Sequence, residues 1–186
     1  ELETAALAQA RGLPRAARAG FDRVAARSPG NVHAKIGQAE TAWAMGALEE
    51  GKALTDELVG TMPEHPGVKR LVRSWESSSR ARLSLEANAG QGHGRISGKD
   101  DLSTDLWLYS PLLGNGFRVF AHHHRVAADF DENRADHIRV GAGVELTRKN
   151  WRLAAELGSE RTFARKETVS LRGSWQPSDG WEFRAG

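Results

Sequence analysis

The sequence predicts an α+β chain in two parts: stacked helical hairpins over residues 1–79, then part of an antiparallel transmembrane β-barrel over residues 80–186. Three observations predict it. The first half is rich in Ala, Leu, Glu and Arg and repeats its turn residues every 34 positions. The second half is rich in Gly, Val, Trp and Phe and alternates apolar with polar residues at period two. The shift between them falls at Arg80.

The helical part follows from its period. Gly12 and Gly46 are 34 residues apart, as are Ala10 and Ala44, Ala17 and Gly51, and Pro29 and Pro63. That is the spacing of tetratricopeptide-like repeats, in which antiparallel helix pairs stack on one another. A small residue after the first helix permits the tight turn, and one in the second lets the pair approach. Proline then stops the second helix, because it cannot continue the hydrogen-bond ladder. Helices are expected at about 1–11, 14–27, 31–45 and 47–61, with another beginning after Pro66. Phe21 occupies a characteristic aromatic position, whereas its counterpart Thr55 does not. An ordinary helical hairpin bundle is the other reading of the same spacing. Two repeats are few for an independent solenoid, so the helical part is expected to be truncated at its N-terminus.

The strand part follows from alternation. Ile138, Val140, Ala142, Val144 and Leu146 share one face, and His137, Arg139, Gly141, Gly143, Glu145 and Thr147 the other. After a short polar turn, Trp151, Leu153, Ala155 and Leu157 oppose Arg152, Ala154, Glu156 and Gly158. Val169, Leu171, Gly173 and Trp175 oppose Ser170, Arg172, Ser174 and Gln176, and Trp181 and Phe183 oppose Glu182 and Arg184. Strands are expected at about 80–90, 102–110, 117–128, 137–147, 151–158, 167–176 and 181–186, joined as a meander. Alternation alone also fits a soluble β domain. Two features favour a barrel. Short links near 148–150 and 177–180 contrast with longer ones near 90–102, 129–136 and 158–167. Trp151, Trp175 and Trp181 gather beside the short turns, as indoles do at a membrane interface. Single-chain bacterial barrels use even strand counts from about 8 upward, so seven strands suggest truncation at the C-terminus as well.

Composition removes whole classes. Mean hydropathy is −0.53, and no stretch reaches the roughly 18–20 apolar residues of a spanning helix, which leaves a barrel open. The chain has no Cys, which excludes disulfides, thiolate nucleophiles and Cys-based zinc sites. Twenty-six basic against 24 acidic residues leave a net charge of +2, and no basic block suggests a nucleic-acid partner. No two carboxylates have a spacing that forces them together, so neither an enzyme nor a cofactor is expected.

The junction carries a family resemblance. His65-Pro-Gly-Val-Lys-Arg-Leu71, then Ala81-Arg-Leu-Ser-Leu85, resembles the end of the repeat domain and first strand of the poly-β-1,6-N-acetyl-D-glucosamine export porins. Leu106-Trp-Leu-Tyr-Ser-Pro-Leu-Leu113 with Phe117-Arg-Val-Phe-Ala121 resembles the next strands of that family. So do Ile138-Arg-Val-Gly-Ala-Gly-Val-Glu145 and Asn150-Trp-Arg-Leu-Ala-Ala-Glu156. The resemblance covers most of the chain. It implies a barrel in the Gram-negative outer membrane that passes the partly deacetylated biofilm polymer outward. It further implies repeats in the periplasm that dock a polysaccharide deacetylase, and no chemistry of the chain's own. Cellulose exporters and surface-lipoprotein translocators share the architecture, and a soluble periplasmic repeat scaffold is the alternative of another class.

If the aliphatic face meets outer-membrane lipid, Glu86, Glu145, Glu156 and Glu182 line the lumen. Carboxylates there would attract the polymer's ammonium groups. Arg139, Arg152, Arg172 and Arg184 share the face, so the alternative is that the charges pair across strands and stiffen the wall. His122, His123 and His124 make a weak metal candidate: adjacent strand residues point apart, and no carboxylate has an evident spacing to the pair that converges. Gly90-Gln-Gly-His-Gly94 is read as a loop without a helix to hold phosphate, and Ser77–Ser79 as a helix terminus. Trp43 and Trp75 are read as packing residues of the repeats rather than sugar platforms.

Overall fold

A computed structural model of the chain describes residues 1–91, 100–114, 116–129, 134–162 and 164–186. Five helices come first: α1 (Leu2–Ala10), α2 (Pro14–Arg27), α3 (Val32–Ala44), α4 (Leu48–Thr61) and α5 (Pro66–Ser79). The 34-residue period is visible in their caps. Gly12 and Gly46 both take positive φ, 73° and 78°, in the turn after the first helix of each pair. Both turns close alike: Leu13 N–H reaches the Ala8 carbonyl at 3.0 Å, and Ala47 N–H the Ala42 carbonyl at 2.9 Å. A glycine carries the left-handed residue without a Cβ clash. Asn31 caps α3 by accepting from Ala34 N–H at 3.0 Å, and His65, one period later, caps α5 by accepting from Gly67 N–H at 3.1 Å.

Small residues set the packing. A Cβ on Gly20 would lie 2.6 Å from the Ala5 methyl, and one on Gly37 would lie 2.5 Å from the Phe21 ring. The helical core holds Ile36, Ala39, Leu58, Val68 and Leu71, with a second cluster of Ala5, Ala17 and Phe21. Each large member contributes about 1.5–3 kcal/mol by burial. Trp43 and Trp75 stack on each other with centroids 5.0 Å apart.

Seven antiparallel strands follow in sequence order: β1 (Arg82–Gln91), β2 (Asp100–Tyr109), β3 (Phe117–Asp129), β4 (Arg134–Arg148), β5 (Trp151–Arg161), β6 (Arg165–Ser178) and β7 (Trp181–Ala185). The strands are longer than alternation indicates. The connection expected at 158–167 is mostly ladder, with Ser159 opposite Glu167, Glu160 opposite Lys166 and Arg161 opposite Arg165. Both faces are polar there, so the period-two signal fades while backbone pairing continues. Likewise β3 and β4 pair as far as Asp129 and Arg134, shortening the link expected at 129–136. The loop reading of Gly90–Gly94 falls partly on β1 and otherwise outside the described residues.

The helices sit against the tight-turn end of the sheet. Asp179, in the β6–β7 turn, accepts from the N–H groups of Arg15 and Ala16 in the first turn of α2, at 3.0 and 2.9 Å, and pairs with the Arg15 guanidinium at 3.3 Å. The same guanidinium donates to Asn150 Oδ1 at 2.6 Å and to the Gln176 carbonyl. Asn150 holds φ 70° in the β4–β5 turn and donates its N–H to the Met45 carbonyl at 2.7 Å. Gly46 packs so closely there that a Cβ would lie 2.5 Å from the Arg148 carbonyl oxygen. At the third contact, Arg118 of β3 donates to the Ser78 and Arg80 carbonyls at the end of α5, and Leu112 N–H reaches the Ser79 carbonyl at 2.7 Å. An anion thus meets one helix N-terminus and a cation one helix C-terminus, matching the helix dipole at both.

Removing the Asp179 carboxylate leaves the first turn of α2 uncapped. Asp179→Ala is expected to weaken helix docking by about 1–2 kcal/mol. Hydrogen exchange at Arg15 and Ala16 should accelerate about 5–30-fold while the β2–β3 amides keep their protection.

Candidate functional site: the charged face of the sheet

The two faces of the sheet differ in kind. One carries Leu85, Leu157, Leu171 and Val169, exposed by 66, 68, 67 and 80%. Val140, Val144 and Leu153 lie on the same face, and Trp151, Trp175, Trp181 and Phe183 close it at the helical end. An uncovered apolar face of this extent marks a surface made to be covered, by lipid or by protein. Among the described residues no helix is long and apolar enough to cross a membrane.

The opposite face is charged and aromatic, and one carboxylate dominates it. Glu156 is only 2% exposed. Its oxygens meet Arg139 Nη2 at 3.3 Å, Arg172 Nη2 at 3.1 Å and His122 Nδ1 at 3.2 Å. Glycines make room for it. A Cβ on Gly141 would lie 2.3 Å from Glu156 Oε1, and one on Gly143 would lie 2.5 Å from the Phe120 ring. Buried charge is tolerated only when paired and hydrogen-bonded, and here the pairing spans β3, β4, β5 and β6.

This corrects the expectation that Glu156 lines an open path. Glu156 is wall rather than surface, because the missing side chains of Gly141 and Gly143 let it lie flat; Arg139 is half-buried beside it and Arg172 stays exposed. The other expected residues remain accessible. Glu86 is exposed and accepts from Asn88 at 3.2 Å. Glu145 is half-buried opposite Arg118. Arg152 is exposed, and Glu182 is paired with Arg184 at 2.7 Å. Glu145, Arg152 and Arg184 border a hollow of about 370 Å³ over Trp107, Tyr109 and Phe120.

Those aromatics were not expected as part of the site. Trp107 stacks on His122 at 3.7 Å between centroids and lies under the Arg172 guanidinium at 4.9 Å. Arg82 covers Tyr109 at 4.4 Å. Cation–π contacts of this kind hold the charged groups in place and occupy the rings. The expectation that the histidines lack a carboxylate is also overturned. His122 Nε2 lies 2.9 Å and His124 Nδ1 3.9 Å from Asp105 Oδ1, because the β2–β3 register sets Asp105 opposite His124. His123 alternates to the aliphatic face, opposite Leu106 and Val140.

The family model described as the PgaA membrane β-barrel domain matches residues 78–185. The chain belongs to the PgaA β-barrel family. Two curated relatives, both named poly-β-1,6-N-acetyl-D-glucosamine export protein, come from Escherichia coli K12 and Escherichia coli O157:H7. Each is 32% identical over 183 residues, covering 97% of this chain and 23% of the relative. The chain therefore spans about a quarter of the length of these relatives. No solved structure matches it significantly.

Membership in the PgaA family decides between the two readings of the alternating strands. The sheet is part of a membrane β-barrel. A soluble β domain is excluded on the same ground.

Glu156 is the keystone of the charged face. Glu156→Ala removes the carboxylate shared by Arg139, Arg172 and His122 and is expected to destabilise the barrel by about 1–3 kcal/mol, less than a fully buried pair because Arg172 is exposed and His122 keeps Asp105. Urea unfolding from lipid vesicles reads this. Glu86→Ala, at an exposed site, should stay within about 0.5 kcal/mol of the parent.

Proposed function

We propose that the chain forms part of an outer-membrane porin that exports poly-β-1,6-N-acetyl-D-glucosamine, a biofilm exopolysaccharide. The observation that supports this most is the identity to proteins of that name across both the helical repeats and the strands. On this reading the chain is a conduit and not an enzyme. The tight-turn end faces the periplasm, where the repeats dock the polysaccharide deacetylase, and the strands span lipid.

The path for the polymer runs over Glu86, Glu145 and Glu182, with Arg152 and Arg184 between them. Arg172 borders the same hollow, and Glu156 with Arg139 holds the wall behind it. Ammonium groups on a partly deacetylated glucosamine chain suit scattered carboxylates, and interleaved arginines keep each contact weak enough to release. The full-length protein, expressed in a Gram-negative host lacking its own exporter, should restore the polymer at the cell surface. Outer-membrane assembly without surface polymer would mean another cargo.

Lipid contact has its own test. Val140→Arg puts a cation on the lipid face and is expected to cost up to about 2–4 kcal/mol near the midplane. Assembly into the outer-membrane fraction should fall sharply, while Glu145→Gln assembles as the parent does.

A further inference from the structure

His122 is held between two carboxylates. Its Nδ1 lies 3.2 Å from Glu156 Oε1 and its Nε2 lies 2.9 Å from Asp105 Oδ1. Ionised carboxylates only accept, so a neutral imidazole, with one N–H, can satisfy one of them and turns a lone pair toward the other. A cation between that nitrogen and its carboxylate would be bound by the lone pair and the carboxylate oxygen together.

The surroundings fit a cation. One ligand atom each from Asp105, His122 and His124 lies within 4.8 Å of the other two. Asp105 Oδ1 is 2.9 Å from His122 Nε2 and 3.9 Å from His124 Nδ1. A zinc ion with bonds of about 2.0–2.2 Å spaces tetrahedral donors about 3.3 Å apart, between those two distances. We propose that Asp105, His122 and His124 form a divalent transition-metal site on the inner wall of the barrel, with zinc the favoured ion.

Two features beyond the ligand triad support it. Glu156 binds the far nitrogen of His122, the carboxylate–histidine arrangement that fixes the tautomer of a metal ligand and aims the free nitrogen at the ion. Arg139 and Arg172 clamp that carboxylate, and Trp107 stacks on the His122 ring, so the ligand is oriented before any ion arrives. Two imidazoles and one carboxylate suit zinc, copper or nickel over magnesium or calcium, which prefer oxygen alone. Three protein ligands leave a coordination position for water.

The site does not depend on the identity of the cargo, and its test is separate from export. The untagged full-length protein in detergent is stripped with a chelator and titrated with Co²⁺ as a spectroscopic probe, then with Zn²⁺ in competition. One Co²⁺ per chain is expected, with visible bands of a low-coordinate nitrogen–oxygen site that Zn²⁺ abolishes. His124→Ala and Asp105→Asn should each weaken binding about 100-fold, and Glu156→Gln about 10–100-fold. His123→Ala, on the opposite face, should bind as the parent does. Heat-modifiable gel mobility checks that each variant retains its barrel. Binding by the parent no tighter than by the Asp105→Asn, His124→Ala double variant overturns the site. Equal binding by all variants overturns it as well.

Discussion

A wall that crosses lipid must pair every backbone N–H and C=O with a neighbouring strand, since an unpaired group there costs several kcal/mol. The rest of this structure depends on that requirement. It pairs each strand with its neighbour along the whole ladder and fixes which side chains share a face. A strand cannot slip by one residue without exchanging its lipid-facing and inward-facing sets. The ladder therefore sets Glu156 within reach of Arg139, Arg172 and His122, and it sets Asp105 opposite His124.

The charged face accommodates its charge through what it omits. Gly141 and Gly143 leave the β4 wall bare, and Glu156 and Phe120 fill the space. Around them charges and aromatic rings interlock from β1 to β6, so the wall is stiff where it is most polar. Accessible carboxylates remain at Glu86, Glu145 and Glu182.

Much of this was legible in the sequence. The 34-residue recurrence of Gly12 and Gly46 marked both helix turns, and period-two alternation marked the apolar and charged faces, because each signal is local. The strand ends around Glu160 and Lys166 were not legible, because alternation disappears where both faces are wet. Asp179 capping α2 joins residues 164 positions apart, and no local pattern encodes it. The partnership of Asp105 with His124 lay between these cases. It needed only the β2–β3 register, which depends on a connecting segment whose conformation the sequence does not declare. The burial of Glu156 was hidden for another reason: its cause is the absence of side chains on the neighbouring strand.

The glycine turn of one helix pair meets the β4–β5 turn, and the turn of the preceding pair leads into the helix that meets the β6–β7 turn. Two repeating systems with different periods are thus in step along one rim. Over evolutionary time such a rim would resist insertions and deletions. Gaining or losing one helix pair between these contacts would bring every later turn against the wrong hairpin. Length changes in this lineage should therefore collect in the loops at the far end of the strands, or in repeats beyond the rim.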